Sequence, residues 1–311
     1  MQTTRSQDGF DAAVGYWTPE RRKSAIPFPA LEERLYDPPY DKWDLRRFED
    51  SEVVDASQGN LDMKPAPAQI IMIRTGRLGT RVTDRTVKPY RAIGKLYFVW
   101  DGKRYVGSGA IIAPNTVLTA AHNLRWSDYW SEHFLFVPGF DASDEWSGGL
   151  CYPHRWADVN SRWMESQNFE DDYGLLSIAG LPKSLGWLEV SYEAEAGGND
   201  VMFNREIEAV GYPDEHPHNG GETLRVPYNG GEMIRVRGEC KGVWKGRMAM
   251  DRNDMTRGAS GGPWLIREGS GEYKVVGLTS THNGEGFDLA TSPVLKRELI
   301  ASMVSRLDSR A

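Results

Sequence analysis

The sequence predicts an all-β protein with one helix at its C-terminal end, and three observations carry that prediction. Apolar runs are short and broken by Gly, Asn and Pro, with 33 glycines spread among them, instead of repeating at helical period. Asp101-Gly102 separates two such runs, Lys95 to Trp100 and Lys103 to Ile112, and an Asp-Gly pair suits the two positive φ angles of a type I′ hairpin. Only the last stretch is helical in period, with apolar residues at Leu295, Leu299, Ile300, Met303, Val304 and Leu307.

Taken in order, residues 1 to 67 hold seven of the 17 prolines together with charged runs such as Glu20-Arg21-Arg22-Lys23. That composition predicts an extended arm or pro-segment, with a boundary near Pro65 to Gln69, and disfavours a helix over Asp41 to Val54. From residue 68 to 311 the pattern is strand, turn, strand. After the hairpin, further strands are predicted at Phe134 to Val137, Tyr173 to Ala179, Trp187 to Tyr192, Ile207 to Gly211, Met233 to Val236 and Lys274 to Thr281. The helix is expected over 292 to 308, because Ser292 offers an N-cap oxygen and Pro293 suits the first helical position.

Composition removes several function classes. A formal charge of -7 gives no general attraction to nucleic acid or to anionic membrane. No apolar run approaches the ~18 residues that a membrane span needs, and the N-terminal stretch shows no secretory h-region. Two cysteines, Cys151 and Cys240, are too few for a disulfide framework and are expected not to form an essential bridge. No metal-ligand spacing, P-loop or dinucleotide fingerprint is present, so no cofactor is expected. His133, His154, His216 and His218 read most simply as surface residues.

Three segments carry chemistry. In Gly258-Ala259-Ser260-Gly261-Gly262-Pro263 the glycines let the backbone turn tightly and bring N–H groups beside Ser260 Oγ, as a nucleophile with its own oxyanion donors requires. In Val117-Leu118-Thr119-Ala120-Ala121-His122 a β-run stops at a histidine, whose imidazole can take and return a proton near neutrality. In Asp171-Asp172-Tyr173-Gly174-Leu175-Leu176 a carboxylate precedes an apolar strand, where it can orient an imidazole. Each has a plain structural reading by itself, as a Gly-Ser loop, a strand-end histidine or a solvated turn. All three in the order His, Asp, Ser are a much rarer coincidence.

These segments resemble the His, Asp and Ser motifs of trypsin-like serine peptidases, and most of all the V8-like glutamyl endopeptidase branch. Thr83-Asp84-Arg85-Thr86, Val137-Pro138-Gly139-Phe140 and Val210-Gly211-Tyr212-Pro213 add to a likeness that spans roughly 70 to 308. The resemblance implies a chymotrypsin-like double antiparallel β-barrel, with barrels over about 68 to 192 and 193 to 291. It further implies a serine endopeptidase that hydrolyses protein or peptide substrates through an acyl-enzyme, acts as a monomer and is extracellular.

On that resemblance His122, Asp172 and Ser260 form the triad, and the N–H groups of Gly258 and Ser260 form the oxyanion hole. Asp172 is preferred over Asp171 because only its register matches the strand pattern. Ala259 stands where trypsin has an Asp, so activation by an ion pair at that position is excluded. The resemblance places the substrate pocket at Asp254 and Met255 and along Ser280, Thr281 and His282, with Ser280 also able to support Asp172. Met255 and Thr279 depart from the glutamate-specific pattern, and Asp254 would suit a basic side chain if it points inward.

Two rival functions remain. An inactive protease homologue acting as a binding module would be expected to lack a triad member, and all three candidates are present. An α/β-hydrolase esterase needs the order Ser, Asp, His, and the only histidine after Ser260 is His282, too close in sequence to admit the intervening elements.

Overall fold

A computed structural model of the 311-residue chain describes residues 13, 15–28, 78–141, 152–213, 231–282 and 289–310. The strands, in chain order, are β1 (Ile26–Pro27), β2 (Thr80–Arg81), β3 (Ile93–Trp100), β4 (Lys103–Ala113), β5 (Thr116–Thr119), β6 (Arg125–Trp126), β7 (Tyr129–Trp130), β8 (Glu132–Pro138) and β9 (Tyr152–Val159). They continue with β10 (Gly174–Ile178), β11 (Glu189–Val190), β12 (Glu206–Gly211), β13 (Ile234–Trp244), β14 (Arg247–Met250), β15 (Pro263–Arg267), β16 (Tyr273–Leu278), β17 (Thr281–His282) and β18 (Ala290–Pro293).

Strands β4, β3, β8, β9, β10 and β5 pair antiparallel in that order, and β5 pairs back onto β4, which closes a six-stranded barrel. β5 meets β4 only from Ala110 to Ala113, so the part of β4 nearer the hairpin keeps an edge on that side. Its filling is strongly aromatic, with Tyr97, Phe98, Phe134 and Phe136 each at most 2% exposed. The β3–β4 hairpin turns at Asp101 and Gly102, whose φ angles are 48° and 69°, both positive as the Asp-Gly pair predicts.

The second half forms a sheet in the order β11, β16, β15, β12, β13, β14, β18, β17, with β2 added beside β13. It curls until its ends approach, where the Leu278 N–H at the end of β16 donates to Ser292 Oγ in β18 at 2.8 Å. Here the structure corrects the predicted helix start. Ser292 and Pro293 belong to β18, and the helix begins five residues later, at Arg297. The Ser292 hydroxyl closes the sheet and does not cap a helix, because a long-range backbone donor reaches it first. The helix, Arg297–Asp308, buries Ile300, Met303 and Leu307, and Arg306 Nε reaches Asp158 Oδ2 on β9 at 2.7 Å. The architecture is therefore a chymotrypsin-like pair of antiparallel β-units followed by a docked C-terminal helix.

Part of the arm lies on this body. Trp17 and Phe28 are each 3% exposed and join the core of the first barrel, and β1 pairs parallel with β4 through Ile26 with Tyr105 and Pro27 with Val106. A short helix, Pro19–Lys23, is capped by Thr18, whose Oγ1 accepts from the Arg21 N–H. Farther on, Arg85 Nη1 donates to the Gly139 carbonyl at 2.6 Å, which joins two segments the sequence singles out.

His154 is buried, contrary to the surface reading: it lies on β9, where its ring meets Phe134 edge-on with centroids 4.7 Å apart. His216, His218 and Cys151 lie outside the described residues. Cys240 is buried, its thiol meets the Gly242 carbonyl at 3.5 Å, and burial pushes the thiol up to about 11.

Burial holds His154 down to about 4 from an ordinary 6.5. The unfolded chain therefore takes up this proton first, so stability is complete above pH 6.5 and falls as pH drops towards 4. Between pH 7 and 4.5 this one group should cost roughly 2 to 3 kcal/mol. Urea unfolding of the His154→Leu variant should show that part of the acid loss gone. An equal acid loss in both proteins would mean that His154 does not carry it.

Candidate active site

The site lies between the two β-units, and each of its parts is placed by a local feature. His122 sits in the first turn after β5, in a one-turn helix (Ala121–Leu124), preceded by Ala120 and Ala121, both fully buried. Small side chains there let the turn press against β10. Asp172 follows a 3₁₀ turn (Phe169–Asp171) capped by Asn168 and lies two residues before β10, which pairs with β5. Pairing of Gly174 with Thr119 brings the segment just before β10, with Asp172, beside the turn just after β5, with His122.

The Asp172 carboxylate is fully buried and meets three donors. Its Oδ1 accepts the His122 backbone N–H at 2.9 Å, while Oδ2 lies 2.8 Å from His122 Nδ1 and accepts from Ser280 Oγ at 2.6 Å. Charge-assisted contacts of this kind hold a buried carboxylate in place and fix the plane of the imidazole. Asp171 points elsewhere: its carboxylate is 3.4 Å from Lys296 Nζ, and its carbonyl accepts from Asn160 Nδ2. His122 is also fully buried, and among the described residues its Nε2 has no hydrogen-bond partner.

The Ser260 loop is clamped to the first barrel by residues that the sequence reading assigned no role. The Ser260 carbonyl accepts from the Ser108 N–H at 2.8 Å and from Asn123 Nδ2 at 3.0 Å. Ser108 Oγ donates to the Gly258 carbonyl at 2.9 Å, and Asn123 Nδ2 also reaches Thr119 Oγ1 at 3.1 Å. Asn123 is the residue next to His122, so one side chain ties the loop to the histidine turn. The signal available in sequence was an amide directly after the histidine and a serine between two glycines, and neither is specific by itself.

Gly261 shows why the loop needs glycine. Its φ is +85°, and a Cβ there would fall 2.1 Å from Thr119 Oγ1 and 2.4 Å from the Ser108 carbonyl oxygen. Gly258 has a φ of 89°, and among the described residues its N–H and that of Ser260 donate to no protein acceptor. Ser260 is 3% exposed, and its Oγ makes no hydrogen bond to the described residues.

The remaining pocket candidates separate. Asp254 is buried, and its Oδ2 accepts the Leu78 N–H at 2.9 Å, so backbone from just before β2 meets this carboxylate. Met255 is 1% exposed and packs into the core of the second sheet. Thr279 Oγ1 accepts from Trp264 Nε1 at 3.1 Å, which holds the strand before Ser280. Thr281 Oγ1 is engaged by Arg247 and Thr291, and His282 continues β17 beside Ala290. Among the described residues no group of three or more His, Cys, Asp or Glu side chains could hold a metal ion, and no helix is long and apolar enough to cross a membrane.

Comparison with solved structures defines the class of fold. The chain is similar to the protease Anisep from Arthrobacter nicotinovorans, with a TM-score of 0.58 and 22% identity over 73% of this chain and 98% of that one. It is similar to a Glu endopeptidase (TM-score 0.57, 18% identity, 76% of this chain and 98% of that one). A thermostable serine protease, AL20, from an extremophilic microorganism matches with a TM-score of 0.53 and 22% identity over 66% and 91% of the two chains. The chain thus has the fold of the trypsin-like serine proteases. The sequence matches no family model, and no curated protein is recognisably similar to it in sequence.

Proposed function

We propose that this protein is a serine endopeptidase in which Ser260 attacks the scissile carbonyl of a peptide and His122 takes its proton. Asp172 holds the imidazole in the tautomer with the proton on Nδ1, which leaves Nε2 as the base. The observation that carries the proposal is the buried Asp172–His122 contact at 2.8 Å, beside a serine loop tied to the same turn through Asn123. The free N–H groups of Gly258 and Ser260 would receive the oxyanion of the tetrahedral intermediate, where preorganised donors act most strongly. His122 then returns the proton to the leaving amine, and water repeats the sequence on the acyl-enzyme.

The rival esterase fold needs a mainly parallel sheet, and the barrel strands here pair antiparallel. The contact between Asp254 and the Leu78 N–H gives no support to a pocket for basic side chains. A fluorophosphonate probe tests the proposal directly, because it reacts only with an activated serine. We expect stoichiometric labelling at Ser260 and none in Ser260→Ala. A folded wild-type protein that the probe does not label would leave the binding-module reading in its place.

A further inference from the structure

The Ser260 loop is held between Thr279, whose carbonyl accepts the Gly261 N–H, and Ser108 of β4, and on the β4 side the chain's own arm lies beside the site. Phe28 is 3% exposed and stands among Tyr105, Trp100, Phe98 and Trp126, with ring centroids 4.9, 5.5, 5.7 and 6.3 Å away. Its ring is nearly parallel to His122, at 11° and 6.1 Å between centroids. The adjoining strand β1 lies along β4 at Tyr105 and Val106, and two residues farther along β4 the Ser108 N–H holds the Ser260 carbonyl. Residues 26 to 28 therefore track the strand that leads to the candidate nucleophile.

We propose that this aromatic cage beside His122 is a subsite for an aromatic side chain on the leaving-group side of a substrate, and that Phe28 is its built-in competitor. This rests on the peptidase reading: if the acyl part of a substrate lies along β17, next to Ser280, the leaving-group part must run towards β4. An extended peptide can add to a strand edge through backbone hydrogen bonds, with side-chain pockets giving the choice of residue. Phe28 shows which chemistry this pocket accepts.

The hold on Phe28 suits a displaceable occupant. β1 pairs over two residues, one of them Pro27, which has no N–H to donate, and Ile26 is 42% exposed. The firmer attachment lies elsewhere: Tyr16 stacks on His133 at 4.5 Å, and the Trp17 indole N–H donates to the His133 carbonyl. Residues 26 to 28 can thus leave the cage while Tyr16 and Trp17 keep the arm on the barrel. A tethered competitor of this kind acts at an effective concentration on the order of millimolar, so it raises KM and leaves kcat alone.

The test locks the occupant. Pro27 and Val106 are paired neighbours outside the ring cage, so a Pro27→Cys, Val106→Cys pair can be bridged across the ladder and leaves the cage whole. In a Ser260→Ala background, which keeps turnover out of the readout, calorimetry would measure binding of acetyl-Ala-Ile-Pro-Phe-amide and of its counterpart ending in Ala. We expect the phenylalanine peptide to bind the reduced form at least about tenfold more tightly than the oxidised form, and the alanine peptide to bind neither. Equal affinity in both redox forms, or no binding in either, would overturn the subsite.

In the catalytically intact chain, Phe28→Ala should lower KM at least about tenfold for peptides with an aromatic residue after the cut bond, with kcat little changed. An unchanged KM in a folded variant that the fluorophosphonate still labels counts against the subsite alone. Loss of labelling in the wild type counts against the peptidase reading, and the calorimetric comparison still decides the cage.

Discussion

Replacing Ser260 by alanine is expected to lower kcat on a peptide substrate by on the order of 10⁴ to 10⁶, and His122→Ala should lose a similar factor, because such groups act as a unit. The two variants should differ in stability. Ser260 Oγ has no hydrogen bond to the described residues, so its removal strands nothing and the urea midpoint should hold. Removing the imidazole takes one of the three contacts from the buried Asp172 carboxylate, and should cost roughly 1 to 3 kcal/mol. Both variants should be assayed well below their unfolding midpoints. If either folded variant keeps more than about a tenth of wild-type activity, the residue concerned is not part of the machinery.

Asp172→Asn should reduce kcat by about 10⁴ with the fold intact. The physical cause is the tautomer. An amide nitrogen turned towards His122 Nδ1 would donate to it, push the ring proton to Nε2 and remove the base from the face that must meet Ser260. The His122 backbone N–H donates to the Oδ1 position and needs an oxygen there, which places the amide nitrogen at the Oδ2 position facing Nδ1. The Ser280 hydroxyl can accept from that nitrogen, so Ser280→Ala combined with Asp172→Asn should do no better than the single change. Asp171→Asn is the control. It loses only the contact with Lys296, a partly exposed pair worth at most about 1 kcal/mol, and kcat should stay within about tenfold of wild type. A larger kcat loss from Asp171→Asn than from Asp172→Asn would overturn the assignment of roles.

Much of this molecule is legible in its sequence because the signals involved are local. The Asp101-Gly102 turn, strands such as β3, β4, β8, β12 and β16, the amphipathic stripe of the last helix and the glycine-flanked serine each depend on residues a few positions apart. By contrast, β9, β14, β15 and a helix over Glu193–Met202 are not predicted. Local signals specify the last helix but not its start, since Ser292 and Pro293 suit an N-terminus and a strand end equally well. The Leu278 N–H, 14 residues away, decides between them. His154 shows the same pattern: nothing beside it indicates that a strand will carry it into an aromatic core.

By itself the sequence determined an all-β architecture, a helix at the end, and three chemically capable residues in the order His, Asp, Ser. Periodicity, turn chemistry and residue type do not depend on what lies across the fold. Tertiary structure alone decided which groups meet. Asp172 and not Asp171 faces His122 because Gly174 pairs with Thr119 between β10 and β5, and a shift by one residue would turn the carboxylate away. Ser280, Asn123 and Ser108 joined the site only when strands from separate units converged, and Phe28 reached His122 from 94 residues away by pairing with β4. Such contacts are set by barrel closure and burial, which depend on the whole chain, and a window of neighbouring residues carries no trace of them.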